Sequence, residues 1–112
     1  LLLSQLNSFQ KELEKLKVKM NSIKKYSEEF LGEAFFGCIN NKTEILNSEF
    51  CGCYNCLELI KTDEILEWIK EPNGKEDSAA CSKCTFDSIL SSKYPIEDSE
   101  FLKEMRIFHF GN

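Results

Sequence analysis

Two Cys-x-x-Cys pairs constrain this chain more than any other feature. They are Cys53-Tyr54-Asn55-Cys56 and Cys81-Ser82-Lys83-Cys84, separated by 24 residues. A tetrahedral structural metal needs four soft ligands, and thiols two residues apart suit a tight turn that aims both sulfurs at one ion. The spacing therefore predicts one Zn2+ site made by Cys53, Cys56, Cys81 and Cys84. Four protein ligands leave no position for water, so such a zinc is structural.

The neighbouring cysteines leave one choice open. Cys51-Gly52-Cys53 is a Cys-x-Cys, so Cys51 could replace Cys53. The repeat of the two-residue spacing favours Cys53, and Cys51 and Cys38 then read as small buried hydrophobes. A disulfide framework is the competing use of six cysteines, but two regular pairs argue for metal and a reducing compartment. A thioredoxin-type redox site lacks its βαβ context. Such knuckles favour Gly or a small residue just after the second Cys. Leu57 and Thr85 stand there, so less regular turns are expected.

Ahead of the cysteines lies a long apolar stripe: Leu2, Leu6, Phe9, Leu13, Leu16, Met20, Ile23 and Phe30, broken only at Ser27. Its alternating steps of four and three predict an amphipathic, coiled-coil-like helix of nearly thirty residues, roughly 45 Å long. A second chain, the chain's own domain or a different protein could cover it. The expected architecture is this helix over residues 1–36, followed by an α+β zinc-ribbon-like domain over residues 43–112. That domain would hold short strands and two or three helices.

Within the domain, residues 43–50 read as a short strand and residues 57–70 as a helix with Ile65, Leu66, Trp68 and Ile69 on its buried face. Glu71-Pro72-Asn73-Gly74 stops that helix. Ala79 and Ala80 lead by a short strand into Cys81, and a helical turn capped by Asp87 or Ser88 follows. Asp98 or Ser99 caps a last helix whose apolar face is Phe101, Leu102, Met105 and Phe108.

Catalytic chemistry finds little support. His109 is the single histidine, flanked by Phe108 and Phe110, and reads as a helix-end side chain near the negative end of the dipole. Glu28-Glu29, Glu76-Asp77 and Asp98-Glu100 read as solvated charge and caps. No phosphate loop, nucleophile elbow or zincin motif occurs.

The charge is uneven. Residues 1–30 carry six Lys against four Glu, whereas residues 31–112 carry eight basic against fifteen acidic side chains. An acidic domain suits a basic partner and disfavours a general nucleic-acid coat. The lysines Lys11, Lys15, Lys17, Lys19, Lys24 and Lys25 read as the wet face of the helix, with nucleic-acid contact as the alternative. There is no signal-peptide pattern and no apolar run long enough to cross a bilayer, so a cytoplasmic protein is expected. Leu1 in place of an initiator Met suggests a trimmed chain.

Residues 50–110 also carry a resemblance. The two pairs, the Ile65-Leu66-Glu67-Trp68 element, Asp87-Ser88, and Phe101-Leu102-Lys103-Glu104-Met105 with Phe108 and Phe110 resemble small uncharacterised bacterial cytoplasmic proteins. What the resemblance implies is a zinc-ribbon-like module, in some cases encoded beside toxin genes. The functional expectation is a non-enzymatic, zinc-stabilised protein-interaction module, with an immunity or antitoxin-type role as one version. The alternative is a regulatory zinc protein that contacts nucleic acid through the Lys-bearing helix.

Overall fold

A computed structural model describes residues 7–13, 15 and 24–111. Its centre is a three-stranded antiparallel sheet of β1 (Phe50–Cys53), β2 (Glu58–Lys61) and β5 (Ile89–Leu90), in the order β2-β1-β5. A strand sends alternate side chains to opposite faces. That period divides the core in two. Cys51 and Cys53 share one face with their partners Ile60 and Ile89, beside Ile45, Ile65, Ala79 and Cys81. Gly52 and its partner Leu90 point the other way, toward Ile96, Phe101, Leu102 and Met105. Gly52 is required there, because a Cβ would sit 2.9 Å from the Cβ of Ile96 and 3.3 Å from Leu102 Cδ2.

Two helices cover this second face. α1 (Glu28–Phe36) starts at Ser27, whose Oγ accepts the Phe30 N–H at 3.1 Å, and ends at Gly37. α3 (Ser99–Phe110) starts at Asp98, whose carboxylate accepts the Glu100 N–H at 3.0 Å, and closes on Gly111. α1 buries Leu31 and Ala34, and α3 buries Phe101, Leu102 and Met105. The first face is completed by α2 (Lys42–Leu46) and by a second, two-stranded sheet of β3 (Trp68–Ile69) and β4 (Ser78–Ala79). Asn41, 2% exposed, locks these parts together. Its amide donates to the carbonyls of Gly37 and Ile89 and accepts the Ala79 N–H, all at 2.9–3.0 Å.

The structure overturns the expected long N-terminal helix and, with it, the architecture built on that helix. Residues 7–13 and 15 are helical and exposed, but Lys24–Ser27 is non-helical and Glu28 opens a separate helix. The longest helix among the described residues is Ser99–Phe110, at the other end of the chain. The remaining part of the stripe, including Leu2, Leu6, Leu16, Met20 and Ile23, lies outside the described residues.

The cause of the break is local competition. Ser27 occupies a position of the stripe, and its short hydroxyl satisfies a backbone donor better as a cap than inside a helix. The C-terminal helix captures the preceding residues. The Glu104 carboxylate accepts the backbone N–H groups of Lys25 and Tyr26 at 3.1 Å each, and Asp98 takes the Lys25 ammonium at 2.7 Å and the Tyr26 hydroxyl at 2.6 Å. Phe30 therefore packs against Phe101 in the domain core rather than continuing a seam.

Three smaller expectations also fail. Residues 57–70 form β2, a 3-10 turn over Thr62–Glu64 and β3, not a helix. Leu66, placed on the buried face, is 81% exposed. Thr43–Phe50 holds α2 and only the first residue of β1. Asp87 and Ser88 cap no helix; Ser88 is buried and its carbonyl accepts the Tyr54 N–H at 3.1 Å.

Candidate metal centre

The four paired cysteines meet. Cys53 ends β1 and Cys56 lies in the turn to β2, while Cys81 follows β4 and Cys84 lies in the loop to β5. All four sulfurs fall within 4.8 Å of one another. Cys53 Sγ is 3.6 Å from Cys84 Sγ, and Cys56 Sγ is 3.7 Å from Cys81 Sγ. A tetrahedron with metal–sulfur bonds of about 2.3 Å has edges of about 3.8 Å, so the quartet is spaced to hold one ion. Cys51 stays outside it, with its thiol directed at the Ile60 carbonyl at 3.5 Å.

The backbone of both turns is set for thiolates. The Lys83 and Cys84 N–H groups point at Cys81 Sγ at 3.4 and 3.5 Å. Leu57 and Thr85, the residues just after each second Cys, both adopt left-handed conformations, with φ of 62° and 71°. The two turns thus share one geometry, although neither has the glycine that usually supplies it. Thr85 is exposed, so Thr85→Gly should leave the metal site intact and raise stability by up to about 1 kcal/mol. Thermal melts of the metal-loaded chain check this, and a lower melting temperature would count against the shared turn geometry.

Electrostatics separate Cys53, Cys56 and Cys84. Burial pushes Cys53 far above the ordinary thiol range, against hydrogen bonds from Ser88 and the backbone N–H groups of Cys56 and Asn55. Burial also raises Cys56, to about 11. At Cys84 burial acts in the same direction, but hydrogen bonds from the Asn55 side chain, the Phe86 backbone and the neighbouring thiols bring it down to about 7. At neutral pH a metal must therefore displace the protons of Cys53 and Cys56 and part of that on Cys84. Affinity must rise with pH and fall on acidification. The expected change is roughly hundredfold per pH unit around neutrality, since two or more protons leave. Competition against a chelator at pH 6 and pH 7 measures it, and a change under tenfold would contradict the proton count.

The centre is also tied to the helical face. Tyr54, inside the first knuckle, is fully buried, and its hydroxyl lies 2.7 Å from His109 Nδ1 and 3.6 Å from Cys38 Sγ. His109 stacks on Phe110 at 4.1 Å and meets the Phe35 ring edge-on at 4.7 Å. The lone histidine thus fastens α3 to the knuckle, in the last turn of its helix. Tyr54, Ser88 and Asn41 hold the centre in place by roles that no sequence motif marks. An aromatic residue in a knuckle spacer was the one available signal.

No protein-family model, curated protein or solved structure matches this chain. The resemblance to small bacterial proteins, its zinc-ribbon fold and its toxin-gene association gain no support from these comparisons. What stands is the cysteine quartet and its capacity to hold a metal ion.

Proposed function

We propose that the chain is a non-enzymatic protein-interaction module held together by a structural zinc ion on Cys53, Cys56, Cys81 and Cys84. The observation that supports it is the closed four-sulfur cluster between β1 and the loops around β4 and β5. Four thiolates favour zinc among common structural metals and fill its tetrahedral shell, leaving no site for substrate. The zinc would clip together a domain too small to rely on its core alone. A reducing, cytoplasmic setting fits unpaired thiols of this kind.

The binding partner is a basic protein, matched to the acidic domain surface, and an immunity-type cover over a basic enzyme is one concrete form. The nucleic-acid alternative is weaker. Lys15, Lys24 and Lys25 each face a carboxylate, of Glu12, Glu28 and Asp98 respectively. Purification of the tagged chain from its native cell, with titration of the pure protein against oligonucleotides at low salt, tests the choice. A stoichiometric basic protein is expected. Salt-sensitive nucleic-acid binding without such a partner would replace this reading.

A further inference from the structure

The four sulfurs of the quartet are not equally reachable. Cys53 and Cys81 are core residues, 0% and 2% exposed, whereas Cys56 and Cys84 are half-buried, one on each knuckle. The two half-buried thiols differ in turn. Cys84 stands among exposed Ser82, Lys83, Thr85 and Phe86, while Cys56 lies between half-buried Asn55 and Leu57. Short sulfur contacts cross from one knuckle to the other. Cys84 Sγ lies 3.6 Å from Cys53 Sγ, and Cys56 Sγ lies 3.7 Å from Cys81 Sγ. Each reachable sulfur is therefore seated against a buried sulfur of the opposite knuckle. Cys38 and Cys51 are buried outside the quartet, with their thiols directed at the backbone carbonyls of Phe35 and Ile60.

We propose that the quartet is a peroxide-sensitive clip, in which Cys84 is oxidised first and crossed disulfides, Cys53–Cys84 and then Cys56–Cys81, replace the zinc. The proposal rests on the structural-zinc reading and names the regulation of that site. Thiolate oxidation follows access as well as charge, which selects Cys84 for the first step. Its sulfur attacks hydrogen peroxide: an S–O bond forms, the O–O bond breaks, and hydroxide leaves with the electron pair. The Cys53 thiolate then attacks the Cys84 sulfur of the sulfenic acid. The S–S bond forms, the S–O bond breaks and a second hydroxide leaves. Two protons from solvent turn both hydroxides into water, so one peroxide takes two electrons from the two sulfurs. Zinc keeps two of its four ligands and is released. A second peroxide joins Cys56 to Cys81 by the same two steps.

Crossed bonds differ in consequence from bonds within each Cys-x-x-Cys pair. A disulfide within each pair would leave the two knuckles with no covalent or metal link between them. Crossed disulfides join the same two knuckles that zinc joins. The oxidised chain therefore keeps β1 tied to the loop before β5, and a dithiol with fresh zinc resets it.

The test treats the zinc-loaded full chain with hydrogen peroxide, first below and then above one equivalent. A chromophoric chelator counts released zinc, dimedone traps sulfenic acid, and peptide mass mapping reads the disulfides. Below one equivalent, several-fold more dimedone on Cys84 than on Cys56 is expected. Without dimedone, one zinc should leave for each Cys53–Cys84 bond formed, and Cys56–Cys81 should follow in excess peroxide. Dithiothreitol and zinc should then restore the loaded chain. Cys51→Ser, which keeps the quartet, should give the same bonds and removes Cys51 as a rival partner of Cys53. Disulfides within the Cys-x-x-Cys pairs, dimedone on Cys56 ahead of Cys84, or zinc retained on unmodified thiols in excess peroxide overturns the proposal while leaving the structural zinc in place. A chain that binds no zinc removes both.

Discussion

Stripping the metal with a chelator at neutral pH is expected to unfold the domain rather than loosen one loop. Zinc on four thiolates contributes on the order of 10–16 kcal/mol of apparent binding free energy, whereas a small domain has only about 5–15 kcal/mol of net stability. The site also sits where its loss spreads furthest. Cys53 is shared between the central strand and the quartet, and Cys53 and Cys81 are both core residues. Without the ion, burial keeps the Cys53 and Cys56 thiols protonated, and the two knuckles lose their common anchor.

Cys81→Ser should reproduce the effect, with loss of sheet signal and of bound metal together. Cys51→Ser is the informative contrast. Cys51 is fully buried but outside the quartet, so the variant should keep its metal and lose about 1–3 kcal/mol for a buried hydroxyl. A chelated chain that keeps its native circular dichroism, or a Cys81→Ser variant as stable as the natural protein, would show that the core alone holds the fold.

The second large effect is expected at Phe101. Its side chain is fully buried at the junction of α1, α3 and the segment that breaks before Ser27. Tyr26 meets its ring edge-on at 5.2 Å, and Phe30 lies 5.9 Å away. Phe101→Ala removes that packing and leaves a cavity that two neighbouring rings cannot both fill, at a cost of about 3–5 kcal/mol. In a domain of this size the melting temperature should fall by roughly 15 °C or more. Phe36 is 67% exposed, so Phe36→Ala should change stability by no more than about 0.5 kcal/mol. Denaturant titration of the metal-loaded variants gives both values. A loss below about 1 kcal/mol for Phe101→Ala would mean that α1 and Tyr26 are not docked on α3 as described.

The cysteine quartet was the most legible part of the sequence, because the spacing within each pair is a covalent property that tertiary context does not alter. The last helix was legible in part: Asp98 caps its start and Phe101, Leu102 and Met105 are buried, but Phe108, read on the same face, is 41% exposed. The long helix misled because periodicity says which side chains are apolar, not what covers them. Phe30 fitted the stripe, yet its partner proved to be Phe101, more than seventy residues away. Ser27 holds the decisive information: it interrupts the stripe because it caps a separate helix.

Ile65, Leu66, Trp68 and Ile69 misled for a related reason. Four apolar residues in five admit helix or strand, and the pairing of Trp68 with Ala79 settles the choice through a contact that no local window contains. Leu57 and Thr85, standing where glycine is favoured, predict less regular turns than the structure has. The knuckles nevertheless impose on them the left-handed geometry that glycine would have adopted more easily.

The most direct measurement is zinc content and zinc X-ray absorption on the full chain, purified under reducing conditions without added metal. One zinc per chain, bound by four sulfurs at about 2.3 Å, is the expected result. A chain without tightly bound metal, or a zinc shell with fewer than four sulfurs, would contradict a closed clip formed by Cys53, Cys56, Cys81 and Cys84.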